Sequence, residues 1–170
     1  MLRDPTTVTL FRGLPDRDRH TARKLRIALY SHDTMGLGHV RRNLCLATTF
    51  AALEPRPAIL MITGAPEALA FAMPPPVHCL MLPALGKGTN GQYHPRSPAI
   101  SLKGLISLRA NAICAALESF EPDVLIVDKV PLGALRELQP GLEMLRSQGR
   151  TQCVLGLREV LDDPETTRRE

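Results

Sequence analysis

The fold is decided in residues 25–42, which read LRIALYSHDTMGLGHVRR. An apolar run of strand length, residues 25–31, is followed by a turn with two glycines, Gly36 and Gly38, and then by a helix. Glycines let backbone N–H groups face a ligand, and a helix start carries roughly half a positive elementary charge. Because His39 stands at this helix start, the pattern predicts a titratable ring, backbone donors and a helix dipole around one point.

Strand-like and helix-like segments alternate along the rest of the chain, without an internal repeat or a low-complexity tract. The strands are continuous apolar runs, which is typical of a parallel sheet covered on both faces. The sequence therefore predicts a doubly wound, mostly parallel, Rossmann-like α/β fold. The predicted strands are residues 25–31, 58–63, 77–82, 123–127 and 152–157, the predicted helices are residues 38–53, 66–73, 101–120 and 133–147 (kinked or split at Pro140), and a polar loop spans residues 86–98.

Two charged residues, Asp128 and Lys129, directly follow the fourth predicted strand. In doubly wound sheets the fourth strand commonly lies beside the first, and ligands bind at the carboxyl ends where the strand order reverses. We therefore expect both residues to lie near the turn at residues 36–39. The loop at residues 86–98 is long for a compact domain and predicts a binding loop.

The domain organisation follows from length and composition. A chain of 170 residues with 44% hydrophobic content can bury one good core, and we assign that core to residues 25–161. Residues 1–24 are charged and are expected to form a partly disordered leader. Residues 162–165 read Asp-Asp-Pro-Glu, a helix start signal, so residues 162–170 predict the start of a truncated continuation of a longer protein.

Composition also excludes several function classes. No apolar run approaches the ~20 residues of a membrane span, and the N-terminus lacks a secretory signal, which predicts a cytoplasmic protein with at most peripheral membrane association. The net charge is +4. The basic residues of the leader are interleaved with Asp16 and Asp18, and Phe11 is its only aromatic stacking platform, so no nucleic-acid partner is expected.

The cysteines predict neither a zinc site nor disulfides. All of them lie inside apolar runs, no CxxC pair exists, and buried reduced thiols are expected. They are Cys45, Cys79, Cys114 and Cys153. A nicotinamide cofactor is not expected either, because Arg41 holds the third glycine position of the dinucleotide fingerprint and Thr63-Gly64 stand where an acid would bind the ribose.

The run at residues 30–42, together with Val127–Lys129, Pro131–Gly133 and residues 156–164, resembles the N-terminal half of a bacterial family of predicted glycosyltransferases. These are related to the lipid-linked N-acetylglucosaminyltransferase of peptidoglycan synthesis. The resemblance covers about residues 26–170 and implies the acceptor-side half of a GT-B fold. It implies a nucleotide-diphosphate sugar as donor substrate, a hydroxyl acceptor, no cofactor or metal, and a C-terminal donor domain that this chain lacks.

The resemblance also implies that the isolated chain is inactive. The glycine-rich turn of the family matches Gly36, Gly38 and His39. In the peptidoglycan enzyme this turn is richer in glycine, and Leu37 replaces one of those glycines here. The side chain of Leu37 therefore affects how closely the turn can approach a diphosphate.

Two residues are catalytic candidates, His39 and Asp128. Transfer to a hydroxyl requires removal of its proton as the new bond forms, and imidazole suits that task. A helix start disfavours imidazolium, so we expect a neutral ring at His39 that can act as a base. Asp128 would orient His39 or bind acceptor hydroxyls. The alternatives are a histidine that is merely packed or hydrogen-bonded at the helix start, and a solvated charge at a strand end.

Further residues are substrate-binding candidates. Two cations in the first helical turn oppose the helix dipole, so a carboxylate or an anionic ligand is expected to compensate them. Lys129 would meet a phosphate, and the loop residues would hold an acceptor, unless the loop is simply solvated. The candidates are Asp33 (which caps or orients the turn), Gly36, Leu37, Gly38, Arg41, Arg42, Lys129, Tyr93 and Arg96.

Other functions remain open at this point. A non-catalytic Rossmann-like module would bind a sugar phosphate or a nucleotide at the same glycine turn, without transferring anything. A truncated gene product would have no function. A Rossmann oxidoreductase is disfavoured by Arg41 and by the missing acid after the second strand.

Overall fold

A computed structural model of the chain describes residues 23–32, 37–88 and 91–157. It contains a five-stranded parallel sheet and, apart from it, a two-stranded antiparallel hairpin. The elements are β1 (Arg26–Ser31), α1 (Gly38–Ala51), β2 (Ala58–Thr63), a 3₁₀ turn (Pro66–Ala70), β3 (Val77–Met81), β4 (Leu85–Lys87), β5 (Tyr93–Pro95), α2 (Leu102–Phe120), β6 (Val124–Asp128), a second 3₁₀ turn (Ala134–Arg136), α3 (Gln139–Gln148) and β7 (Gln152–Gly156).

The strand order of the main sheet is β3-β2-β1-β6-β7, and every neighbouring pair is parallel. β1 lies in the centre, where Tyr30 is in register with Ile62 of β2 and with Val127 of β6. The predicted α/β fold is confirmed, and so is the expected pairing of the first and fourth strands of the prediction. The chain leaves β1 toward one edge and returns beside it, so the strand order reverses between β1 and β6.

The three inner strands β2, β1 and β6 are apolar at consecutive positions and are largely buried, as expected of strands covered on both faces. One face packs against α2 and α3, and the other packs against α1. The buried core on the first face comprises Ala28, Tyr30, Ile62, Leu82, Ile113, Leu117, Leu125, Val127, Leu138 and Leu145. The buried core on the second face comprises Ile27, Leu29, Ala47, Ile59, Met61 and Val77.

The helix α2 begins and ends with recognisable caps. The Ser101 hydroxyl accepts a hydrogen bond from the Gly104 backbone N–H at 3.1 Å, which satisfies one N–H group of the first turn. At the other end Glu121 adopts a left-handed conformation with φ 48°, and its N–H donates to the Leu117 carbonyl.

Two predicted segments differ from the structure, and a third, the helix at residues 133–147, is split as predicted. The predicted loop at residues 86–98 contains most of the hairpin formed by β4 and β5. The predicted helix at residues 66–73 is a 3₁₀ turn of five residues. The predicted helix at residues 133–147 is split, because Pro140 occupies the first turn of α3, where its missing N–H costs no hydrogen bond.

The expectation of buried thiols is wrong for two of the cysteines. Cys45 and Cys153 are exposed, whereas Cys79 and Cys114 are partly buried, and all of them are free thiols. Cys45 lies on the outer side of α1, and Cys153 lies on the edge strand β7. Within residues 23–32, 37–88 and 91–157, no helix combines the length and apolar character needed to cross a bilayer.

Candidate functional site

The strand β6 carries Asp128 at its carboxyl end, next to the start of α1. Ile126 packs with the core on the α1 face, and alternate residues of a strand share a face, so Asp128 also faces α1. In α1, His39 and Arg42 stand three residues apart and therefore lie on one side of the helix. The reversal of strand order between β1 and β6 thus brings the three side chains together.

These three residues, which we name the open cluster, are joined by one hydrogen bond and one ion pair. His39 Nδ1 lies 2.5 Å from Asp128 Oδ2. Arg42 Nη1 donates to the other carboxylate oxygen, Asp128 Oδ1. The Asp128 side chain is 1% exposed, whereas the side chains of His39 and Arg42 are 17% and 35% exposed. A buried carboxylate is therefore bordered by two groups that reach solvent.

The electrostatics of the open cluster keep Asp128 ionised. Burial alone would raise the pKa of this carboxyl group, but the hydrogen bond with His39 and the charges of His39 and Arg42 outweigh burial and lower the pKa. An ionised carboxylate accepts hydrogen bonds only, so the proton between the two residues belongs on His39 Nδ1. In the neutral form of the ring this leaves Nε2 as the acceptor, as required of a base.

The start of α1 is open in the described part of the chain. Leu37 precedes the helix with φ −101° and ψ 3°, and its carbonyl accepts the first helical hydrogen bond from the Arg41 N–H at 2.9 Å. Neither a side-chain cap nor an acidic residue in the first turn is present among the described residues. A Cβ added at Gly38 would meet nothing within 4 Å. Among the described residues, no side chain therefore caps the first N–H groups of the helix, where the positive end of the helix dipole lies.

The two arginines of the first turn of α1 have different contacts in the structure. Arg42 is compensated by Asp128, as the sequence predicted for a cation at a helix start. Arg41 is exposed, and its guanidinium carbon lies 6.0 Å from the centroid of the Phe71 ring. Asp33 and Gly36 lie outside the described residues.

Three further candidates are placed but not joined to the open cluster by any described hydrogen bond or ion pair. Lys129 directly follows Asp128 in a left-handed conformation with φ 60°, and its backbone N–H donates to the Gly156 carbonyl at 3.0 Å. Tyr93 packs in the small core under the hairpin, with Lys87 Nζ 5.4 Å from its ring centroid. Arg96 is exposed just after β5. Their substrate-binding roles stay predictions.

His32 belongs to the site, although the sequence assigned it no role. It follows β1 directly, is 7% exposed, and its ring centroid lies 5.4 Å from that of His39. Its charge is among the causes that lower the pKa of Asp128. The available signal was its place between the first strand and the glycine turn, where parallel sheets build their ligand sites.

A second polar group, which the sequence did not reveal, lies on the opposite face of the sheet. We name Tyr30, Arg109 and Glu137 the closed cluster. Tyr30 donates to Glu137 Oε1 at 2.6 Å. Arg109 binds the same carboxylate with two hydrogen bonds, from Nε to Oε2 at 2.5 Å and from Nη2 to Oε1 at 2.7 Å. The three residues are at most 1% exposed.

The closed cluster had one signal in the sequence. Arg109 stands in the apolar stripe of α2, four residues after Leu105 and four before Ile113, where a charged residue is unusual. Its partner was not predictable, because Glu137 lies 28 residues away and Tyr30 lies 107 residues from Glu137.

The described residues hold no group of three or more histidine, cysteine or acidic side chains arranged to bind a metal ion. No protein-family model matches the chain. No curated protein matches it either.

Two solved structures are similar to part of this chain. A UGT transferase from Siraitia grosvenorii in complex with UDP is 12% identical, with a TM-score of 0.48, over 79% of this chain and 28% of that one. A protein named as a UDP-N-acetylglucosamine 2-epimerase from Listeria monocytogenes is 15% identical, with a TM-score of 0.48, over 78% of this chain and 32% of that one. The chain thus spans about a third of each structure, and at these values neither likeness is evidence of family or function.

Proposed function

We propose that this chain is the acceptor-side domain of a glycosyltransferase that moves a sugar from a nucleotide-diphosphate donor to a hydroxyl acceptor. The observation that supports the proposal most directly is the hydrogen bond between His39 Nδ1 and the buried Asp128 carboxylate. It lies at the reversal point of a parallel sheet, which is where such folds bind ligands. A donor-binding domain beside this one is part of the proposal.

His39 is the general base in this mechanism. The acceptor hydroxyl oxygen forms a bond to the anomeric carbon of the donor sugar while its proton passes to His39 Nε2. The bond between that carbon and the diphosphate oxygen breaks, and the nucleoside diphosphate leaves with the electron pair. Asp128 stabilises the imidazolium that forms, in the way that the acid of a catalytic triad does.

The start of α1 has a separate role in the proposal. Backbone N–H groups at an uncapped helix start stabilise negative charge that develops on a phosphate or an oxyanion. Arg42 is already paired with Asp128, so its part is to hold the carboxylate rather than the ligand. Arg41 and Lys129 remain as the cations that a diphosphate would meet.

The test compares His39→Ala with wild type in a transfer assay that combines this chain with a donor-binding domain and a labelled nucleotide sugar. Loss of the base should lower the turnover number by about 10²–10⁴-fold. His78→Ala is the matched control, because His78 is an exposed histidine on β3 and should leave turnover unchanged. Turnover within a few-fold of wild type in His39→Ala would rule out the base.

A non-catalytic module that binds a sugar phosphate or a nucleotide is the second candidate. The open space at Gly38 favours it, since a phosphate can approach the helix start there. Gly38→Ala fits the described backbone and would narrow this approach without straining the fold. If Gly38→Ala weakens the binding of a nucleoside diphosphate while no donor domain yields transfer, the binding module is the better description.

A further inference from the structure

The Arg109 guanidinium lies near the residues that follow three strands of the sheet, β1, β2 and β3. Nη1 donates to the Pro83 carbonyl at 2.5 Å, in the segment after β3. Nη2 donates at 3.4 Å to the carbonyl of His32, directly after β1. A Cβ added at Gly64, directly after β2, would lie 2.8 Å from Nη1. Arg109 is also joined by two hydrogen bonds to Glu137, which follows β6 and its loop.

Burial makes this arrangement costly as a purely structural device. Burial lowers the pKa of Arg109, but the hydrogen bonds and the charge of Glu137 outweigh it, so the pKa is raised and the guanidinium stays charged. Taking both charges out of water costs several kcal/mol per ion, and apolar residues of similar volume often stabilise a fold equally well. The contacts to backbone carbonyls point to positioning of the strand ends as a separate role.

The loop between Asp128 and Glu137 holds an unusual backbone. Four of its positions have positive φ, namely Lys129 at 60°, Gly133 at 71°, Leu135 at 48° and Arg136 at 64°. Such conformations persist in non-glycine residues only where the surroundings determine them. A Cβ at Gly133 would lie 2.3 Å from the Tyr30 hydroxyl oxygen, so the loop is drawn tightly onto Tyr30.

The loop is anchored at both ends by carboxylates. At one end Asp128 binds His39 and Arg42 on the α1 face. At the other end Glu137 binds Tyr30 and Arg109 on the α2 face. A displacement of Glu137 therefore moves the loop that follows Asp128, and a displacement of Arg109 frees the carbonyl of His32.

We infer that Arg109 and Glu137 are positioning residues for the open cluster. They hold the ends of β1 and β6 in register, and thereby keep Asp128 against His39 Nδ1 and the His32 ring beside His39. Neither residue touches a substrate in this scheme. The inference rests on the proposed function only in naming His39 as the base, since the coupling between the clusters exists whatever the chemistry.

The test is Arg109→Lys, which keeps the charge but loses the two-pronged bond to Glu137 and the carbonyl contacts. Nitrogen-15 shifts of the His39 ring measure the ratio of its Nδ1–H to Nε2–H tautomers in the folded chain. We expect this ratio to fall about tenfold, equivalent to about 1.4 kcal/mol, or one hydrogen bond.

The matched control is Arg26→Lys at the opposite edge of the same sheet. Arg26 Nη1 donates to the Phe120 carbonyl at 2.9 Å, so this change also removes an arginine that links β1 to α2. Both variants should lose stability, but only Arg109→Lys should change the His39 ring spectrum. If Arg109→Lys does not fold, Tyr30→Phe removes a single bond from Glu137 and is judged by the same ring shifts.

Unchanged His39 ring shifts in a folded Arg109→Lys or Tyr30→Phe chain would overturn the inference. The outcome is separable from the proposed function, because ring shifts are read in the chain alone and turnover is read in the transfer assay. If His39→Ala keeps its turnover while Arg109→Lys changes the ring shifts, the positioning role of Arg109 is supported and the assignment of His39 as the base is rejected.

Discussion

Two polar clusters with similar components lie on opposite faces of the sheet at its carboxyl edge. Each centres on a buried carboxylate that binds one arginine and one ring-bearing side chain. In the open cluster the ring belongs to His39, with a side chain that is 17% exposed, and in the closed cluster it belongs to Tyr30, which is fully buried. The difference lies in which groups still reach solvent.

The closed cluster has its charge and its donors engaged inside the protein. Burial, followed by the charge of Glu137, raises the pKa of Tyr30 well above its ordinary value, so the ring remains a phenol that donates to the carboxylate. The open cluster instead presents an imidazole nitrogen and a partly exposed guanidinium beside an uncapped helix start. One arrangement thus suits holding a structure, and the other suits acting on a ligand.

Breaking the closed cluster should have the largest effect on stability. Glu137→Gln leaves Arg109 as a buried charge without its counter-ion, and we expect the free energy of unfolding to fall by about 3–5 kcal/mol. Urea denaturation measures it. The double variant Arg109→Leu/Glu137→Leu leaves no unpaired charge. Its loss of unfolding free energy should therefore be smaller than the sum of the losses in Arg109→Leu and Glu137→Leu measured separately. Additive losses would contradict this account.

Tyr30→Phe should have an intermediate effect. It removes a hydrogen bond to a charged acceptor, which typically contributes about 1.5–3 kcal/mol. Because the pKa of Tyr30 is raised in the folded state, its stabilisation is complete below the ordinary tyrosine pKa of about 10 and is lost as the pH rises further. The stability gap between wild type and Tyr30→Phe, measured by denaturation from pH 8 to 11, should therefore narrow at the alkaline end. A constant gap would show that Tyr30 does not ionise differently in the two states.

Asp128→Asn should have the smallest effect on stability, about 1 kcal/mol, because its partners His39 and Arg42 can turn to water when the charge is gone. Since the pKa of Asp128 is lowered in the folded state, its stabilisation is present above the ordinary aspartate pKa of about 3.9 and is lost as the pH falls below it. Acid denaturation should thus show the gap between wild type and Asp128→Asn closing from about pH 4 downward. If the stability gap between wild type and Asp128→Asn widens in acid, the pKa of Asp128 is not lowered in the folded state.

The comparison also separates what the sequence could predict from what it could not. Continuous apolar runs such as β1 and β6 predicted the parallel sheet, and the strand-order rule then predicted that Asp128 meets the turn containing His39. Both steps depend on local patterns and on one general rule of topology. The hairpin of β4 and β5 escaped prediction because each strand has three residues, too few for a periodicity.

The closed cluster could not have been predicted as a unit. Arg109 is conspicuous in the apolar stripe of α2, but nothing near it in the sequence names Glu137 or Tyr30 as its partners. Likewise Lys129 and Leu135 adopt a left-handed conformation that is usual for glycine, so their residue types did not indicate it. Contacts between distant segments decide these features, and a single sequence carries no record of such contacts.

The central position of β1 in the sheet has a consequence during synthesis of the chain on the ribosome. Of the strands in the described residues β1 is made first, yet Asp123, whose carboxylate binds the Arg26 backbone N–H, is 97 residues further along the chain. At about 5–20 residues per second, a ribosome needs roughly 5–20 s to make that stretch. During this time β1 has one unpaired edge, which invites association with other chains. A nascent chain of this topology is therefore most prone to such association before β6 has been made.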